Sequence, residues 1–168
     1  KHGYGSGMNP CIDCREMMFN VAKDYMQEID AKFIITGEVL EQRPMSQNPR
    51  ALKIIEQESG LEGKVLRPLS AKHLKETEAE KTGLVKREQL LNIKGRTRKN
   101  QIELAKNLGI TDYPNAAGGC LLTDPQFARK AKDLFKHIEK PTLNDTELLK
   151  VGRHFRMNNK SKLIVGRN

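Results

Sequence analysis

Apolar residues recur at helical spacing after Cys14: Met17, Met18, Val21, Ala22, Tyr25, Met26 and Ile29. Positions three and four apart share one side of an α-helix, so this spacing predicts a long amphipathic helix that starts at the Cys-x-x-Cys pair. Phe33-Ile34-Ile35, short, apolar and β-branched before Gly37, predicts a buried strand. Asn48-Pro49 has the form of a helix start, and the helix it opens carries Leu52, Ile54 and Ile55 and stops at Gly60. Val65-Leu66 predicts a second short strand, ended by Pro68. A helical stretch is expected next: Ser70 to about Glu80, then Val85–Ile93, then a helix capped by Thr97 with Ile102, Ala105 and Leu108 on one face and Gly109 at its end. Asp124-Pro125 opens another helix, with Phe127, Ala128, Ala131, Leu134, Phe135 and Ile138 inward and Pro141 closing it. Thr142–Lys150 predicts a short helix. Val151–Met157 and Lys162–Arg167 predict two strands around the turn Asn158-Asn159-Lys160-Ser161.

Strands alternating with helices point to an α/β layer with a parallel sheet. Only two such strands precede the helical stretch, and two strands do not make a well-covered parallel sheet. The chain is therefore expected to be part of a larger sheet, and both of its ends read as cut.

Composition narrows the class. Of the 168 residues 37% are apolar and 5% aromatic, and tryptophan is absent, so the core must be mostly aliphatic. No apolar run is long enough to span a bilayer, and the opening Lys1-His2-Gly3-Tyr4-Gly5-Ser6-Gly7 is no signal peptide. An odd cysteine count without a secretory signal points to a reducing, cytoplasmic setting. The net charge of +9 is clustered. Residues 86–106 hold seven Lys/Arg against two Glu, and residues 150–168 hold six with no acid. Clusters of this kind attract polyanions such as RNA, although the same charge also suits a plain solvated surface.

Candidate chemistry centres on sulfur. The three cysteines lie in Asn9-Pro10-Cys11-Ile12-Asp13-Cys14 and Gly118-Gly119-Cys120, both Gly/Pro-punctuated and both next to helices. A helix N-terminus carries partial positive charge and favours thiolate, the form that binds iron and zinc. Three thiolates would leave one iron of a 4Fe–4S cluster open for sulfide or substrate. Structural zinc would need a fourth ligand, from His2 or Asp13. A persulfide on Cys11 or Cys14 with Cys120 as its partner is a third option, and three inert buried thiols the plain alternative.

Thr36-Gly37-Glu38-Val39-Leu40 follows a strand directly, where α/β sheets bind ligands, and Gly37 would admit a nucleotide close to the backbone. Gln42, Ser46 and Gln47 add hydrogen-bonding groups. Lys94-Gly95-Arg96-Thr97-Arg98-Lys99 before a helix could hold phosphates. In Val151-Gly152-Arg153-His154-Phe155-Arg156 arginines alternate with apolar residues, which would make one strand face basic. His2, His73, His137 and His154 share no ligand spacing and read as surface residues. The chain contains no Ser-Gly-Gly-x-Asp-Ser, no G-x-x-x-x-G-K-[ST] and no G-x-G-x-x-G, hence no recognised triphosphate loop.

The run Thr36–Gln47 followed by Leu66-Arg67-Pro68-Leu69 resembles the ATP-pyrophosphatase (PP-loop) domain of tRNA 4-thiouridine synthases. Asn9–Cys14 and Ala117–Pro125 resemble the cysteine motifs of a cluster-bearing, three-cysteine branch of these enzymes. The likeness covers about residues 1–140 and implies a partial Rossmann-like parallel sheet, of the adenine nucleotide alpha hydrolase type, with a helical extension and a C-terminal β-hairpin. Residues 141–168 resemble part of the RNA-binding module of NFACT-type proteins. The implied activity is ATP-dependent thiolation of a tRNA uridine: the carbonyl oxygen is adenylated, then replaced by sulfur. By this resemblance Cys11, Cys14 and Cys120 would be the catalytic and cluster-ligating residues, and Gly37 and Gln47 would bind ATP, with Mg in the intact protein. Arg96, Arg98, Lys99, Arg153 and Arg156 would hold tRNA. The partners implied are tRNA, a sulfur donor, and an N-terminal PP-loop half or second subunit. The isolated chain is then expected to be an inactive fragment. A non-catalytic RNA-binding module is the reading from a different class.

Overall fold

A computed structural model describes residues 1–113 and 120–166. The chain forms two compact units, Lys1–His2 with Cys11–Asn115, and Gly3–Pro10 with Ala116–Asn168. By compactness the boundary falls ahead of the helix that begins at Pro125, whereas the family likeness suggested a division at residue 140.

The first unit is mixed α/β. Helix α1 (Cys11–Glu28) leads to strand β1 (Ile34–Ile35), helix α2 (Pro49–Ser59) and strand β2 (Val65–Leu66). The Asn48 side chain caps α2 by accepting from the Ala51 amide, Pro49 takes the first turn, and Gly60 ends the helix in the left-handed region. β1 and β2 pair in parallel, Ile34 opposite Val65 and Ile35 opposite Leu66, joined by the α2 crossover. Phe19, Met26, Ile55, Leu61 and Val65 form the core under this pair, and Leu66, Ala71 and Leu90 form a second cluster.

Several expected elements come out differently. On α1 only Phe19 and Met26 are buried, while Met17, Met18, Val21, Tyr25 and Ile29 are all at least half exposed. The helix is apolar around more than half its circumference, and α2 takes the side carrying Ile12, Phe19 and Met26. The helix expected from Ser70 to Glu80 is a 3-10 turn, Ala71–His73, then helix α3 (Glu78–Lys81). Thr77 and Glu80 start α3 anew as a reciprocal capping box. The helix expected over Val85–Ile93 is reduced to a 3-10 turn, Arg87–Gln89. The amides of Leu91 and Ile93 bond instead to the carbonyls of Pro68 and Leu69, and the Arg87 guanidinium ties to Glu80 and to two carbonyls of the 71–74 turn. Helix α4 (Lys99–Asn107) forms as expected but buries nothing, and Ile102 and Leu108 are exposed.

The second unit contains a 3-10 turn at Leu121–Thr123, helix α5 (Pro125–His137), helix α6 (Leu143–Leu148), and an antiparallel hairpin of strands β3 (Arg153–Arg156) and β4 (Lys162–Val165). Asp124 caps α5, and a Thr142–Asp145 capping box starts α6. The core is Ala131, Leu134 and Leu149 with Met8 and Phe127 against it. Phe135 and Ile138, expected inward, are exposed. The basic strand face is also corrected. Arg153 and Phe155 share the exposed face of β3, His154 and Arg156 the more buried one, because residues three apart in a strand point to opposite sides. Gly118-Gly119, Ala117 and Arg167 lie outside the described residues.

Candidate functional site

The parallel pairing of β1 and β2 sets their carboxyl ends side by side, with the Thr36 amide donating to the Leu66 carbonyl at 3.0 Å. The Thr36-Gly37-Glu38 loop and Arg67 therefore emerge together. Glu38 is 2% exposed and Arg67 3%. One Glu38 oxygen accepts from Arg15, through Nε at 3.0 Å and through Nη2. The other accepts from Arg67 Nε at 2.9 Å and from the Thr36 hydroxyl at 3.3 Å. Arg67 Nη1 pairs with Glu56 on α2. One buried carboxylate thus binds α1, the loop and the strand end together.

Beyond Glu38 the chain stays pinned. The Leu40 amide donates to Ser70 Oγ, and Ser70 Oγ donates to the Ile93 carbonyl. Leu40 bridges Lys94, and the Gly95 amide returns to the Leu40 carbonyl at 2.8 Å. Glu41 sits in the left-handed region at φ 64°, unusual outside glycine, and its amide closes the loop onto the Gln47 carbonyl. Inside this loop Gln42 Nε2 and Gln47 Oε1 are buried with no hydrogen-bond partner among the described residues, as is Arg67 Nη2. A Cβ at Gly37 would meet nothing within 4 Å, so the surrounding fold places no demand for glycine there.

The expected site residues fall into three groups. Gly37 and Gln47 belong to the loop just described, and the Leu40–Lys94 bridge joins that loop to the segment carrying Arg96, Arg98 and Lys99. These three cations have no carboxylate partner among the described residues, and the Lys99 amide at the start of α4 donates to the Thr97 hydroxyl at 3.3 Å. Arg153 and Arg156 belong to the second unit. Arg156 is committed to Asp133, with Nε at 3.0 Å and Nη2 at 2.7 Å, and Lys162 joins the same carboxylate at 2.7 Å. The Arg156 hydrogen bonds hold the Asp133 carboxyl far below the usual carboxylate range. Burial pushes the His154 imidazole down, while its Nε2 faces the carbonyls of Leu148 and Val151.

Cys11 and Cys14 occupy the first turn of α1 in the first unit, and Cys120 is carried by the second. None is in a disulfide, and Cys14 and Cys120 are exposed. Thiols one turn apart at a helix N-terminus match the donor chemistry of a thiolate-held iron site. His2 and Asp13, the candidates for a fourth zinc ligand, bond to one another at 2.9 Å, and His2 Nε2 reaches Glu58 at 3.1 Å. The His2 hydrogen bond also holds the Asp13 carboxyl below its ordinary value. His2 is thus a paired residue rather than a loose surface one.

A family model described as thiamine biosynthesis protein (ThiI) matches residues 6–82. Over that stretch the chain is ThiI-like. No curated protein and no solved structure matches the chain. The ThiI-like segment takes in Cys11, Cys14, Gly37 and Gln47, together with Arg15, Glu38, Glu56 and Arg67. Those last four carry the buried ion network, which the sequence reading did not single out. The only signal was the pair of short motifs, Thr-Gly-Glu and Leu-Arg-Pro-Leu, each following a strand. Cys120, α4 and the hairpin lie beyond the matched residues. Among the described residues no helix is long and apolar enough to cross a membrane.

Proposed function

We propose that this chain is part of a tRNA sulfurtransferase that converts uridine to thiouridine. The observation that carries the reading is the ThiI match over residues 6–82, which includes both the cysteine pair and the loop after β1. ATP would adenylate the uridine carbonyl oxygen with release of pyrophosphate, and sulfur would then displace AMP. Gly37 and Gln47 would face the nucleotide. In support, Gln47 is buried with an unpartnered oxygen, and the space over Gly37 is open. The triphosphate itself would be held by a phosphate loop outside these 168 residues, on another segment or a second subunit, together with Mg. The β1–β2 pair would then be part of a Rossmann-like sheet. Support comes from Ile35, which lies in β1 and is nevertheless 62% exposed.

Cys11, Cys14 and Cys120 would hold a 4Fe–4S cluster, which when bound supplies an iron able to carry sulfide. Arg96, Arg98, Lys99 and Arg153, free of carboxylate partners among the described residues, would meet the tRNA backbone. A persulfide on Cys14 or Cys120 is the second reading, favoured by the exposure of both thiols. The test is thiouridine content by mass spectrometry in tRNA from cells lacking the gene, restored with the intact gene or its Cys11→Ser, Cys14→Ser or Cys120→Ser variants. Loss of one thiouridine, restored by the intact gene alone, is the expected result. Unchanged tRNA refutes the reading. Anaerobic iron and sulfide analysis decides between cluster and persulfide, and active, iron-free protein selects the persulfide.

A further inference from the structure

The second unit holds an open pocket of about 800 Å³ where α5 meets the start of the hairpin. Arg129, Lys130 and Arg153 line it with the backbone of Gly152 and Gly166, and its described lining includes no carboxylate. Lys130 is a brace: its Nζ donates to the carbonyls of Leu149 at 3.2 Å and Gly152 at 2.9 Å. Asp133, one turn further along α5, is occupied by Arg156 and Lys162 and so anchors the hairpin. Arg129 and Arg153 have no carboxylate partner among the described residues. Gly152 is required where it stands. Its φ is +62°, and a Cβ there would lie 2.4 Å from the Val165 carbonyl oxygen, so only glycine lets this wall close against the end of β4. The charge around the pocket is lopsided too, since residues 116–168 carry eleven Lys/Arg against five Asp/Glu.

A guanidinium presents its donors in a planar fork that fits a phosphate, and backbone phosphates are where proteins fix their register on a nucleic acid. We propose that this pocket is a phosphodiester-binding subsite for tRNA, contacted by Arg129 from α5 and Arg153 from the hairpin. The assignment rests on the tRNA reading above and deepens it. It adds Arg129, which the sequence did not suggest, and it gives Arg156 an anchoring role instead of a contact.

The test is fluorescence anisotropy of a fluorescein-labelled, unmodified tRNA transcript with the full 168-residue chain over a series of salt concentrations. Arg129→Glu and Arg153→Glu are each expected to weaken binding roughly tenfold and to lower the salt slope by about one. Lys140→Glu makes the same charge change outside the pocket lining and is expected to cost less than about twofold. Arg129→Gln and Arg153→Gln, checked for unchanged hydrogen exchange across the unit, are expected to weaken binding in the same order and guard against unfolding. Equal losses in the pocket variants and Lys140→Glu would overturn the subsite while leaving tRNA binding intact. A wild-type chain that does not bind tRNA would overturn both readings. Loss of inorganic-phosphate binding in Arg129→Glu and Arg153→Glu with tRNA affinity unchanged in both would assign the pocket to a free anion and overturn the RNA source.

Discussion

Arg67→Met tests whether the Glu38 network holds the candidate nucleotide loop in place. The substitution removes the 2.9 Å bond to Glu38 and the pairing to Glu56 while keeping most of the apolar stem. Glu56 is 19% exposed and recovers solvation, but Glu38, at 2%, does not. Glu38 would keep only Arg15, itself 27% exposed, and the weak bond from Thr36. Breaking a buried ion pair by removing one partner costs about 3–5 kcal/mol, because the survivor stays buried with its charge. The expected loss of hydrogen-exchange protection in peptides covering residues 33–40 and 64–70 is therefore roughly two to three and a half orders of magnitude, at about 1.4 kcal/mol per tenfold. Adding Glu38→Gln removes the stranded charge, so the double variant should recover at least about 1 kcal/mol of that loss. Less than tenfold deprotection in the single variant, or a double variant as damaged as the single one, would refute the reasoning.

Phe19→Ala should destabilise the first unit by about 3–5 kcal/mol in urea unfolding followed by circular dichroism, whereas Val21→Ser, two residues on, should stay within about 0.5 kcal/mol. Acid should loosen the hairpin of the second unit. The Asp133 carboxyl is depressed in the folded state, so its stabilisation is complete above the ordinary Asp value of about 4 and is lost as pH falls through the lower folded value. Hydrogen-exchange protection of residues 153–165, taken relative to the intrinsic rate at each pH, should fall below about pH 4 in the wild type, and Asp133→Asn should already be less protected at neutral pH. His154 should titrate by NMR below 6.5, its ordinary value, because burial disfavours the imidazolium. Gln47→Ala should leave the fold intact, since its amide oxygen has no partner to lose, and should lower ATP affinity once the phosphate-binding half is present.

The sequence is a better guide to where elements begin than to which way they face. Asn48-Pro49, Gly60, Asp124-Pro125 and Thr142 marked helix ends correctly because caps are local chemistry, satisfied within three or four residues. The facing of α1 was not legible. Its stripes through Met18, Val21, Tyr25 and Ile29 and through Ile12, Phe19 and Met26 have the same period, and the choice between them is made by Ile55 and Leu61, far along the chain. The segments 70–80 and 85–93 failed as helices for a similar reason. Their amides are claimed by Pro68, Leu69 and one another, and Arg87 locks the arrangement. At the candidate site, the loop that follows β1 and carries Gly37 and Gln47 was legible as a motif after a strand. The partnership of Glu38 with Arg67 was not, because it spans 29 positions and shows only when two parallel strands end together.

The bonds around Leu40 also make the candidate nucleotide loop and one of the basic segments parts of a single piece of structure. Leu40 is held on one side by Ser70 and on the other by the Lys94–Gly95 backbone, and Ser70 itself is bonded to Ile93. Lys94 and Gly95, at the head of the basic segment, are therefore tied to the chain that carries Glu38 and Glu41. An RNA phosphate drawn to Arg96 or Arg98 would act on a loop whose Glu41 is already in an unfavourable backbone region, where about 1–2 kcal/mol of strain is stored. Within the second unit, Arg129 and Arg153 stand on a frame of Lys130, Asp133, Arg156 and Lys162, which fixes their position. Substitutions at Arg96 and Arg98 should accordingly change both tRNA affinity and the response to ATP, read by anisotropy with labelled tRNA in the presence and absence of the nucleotide.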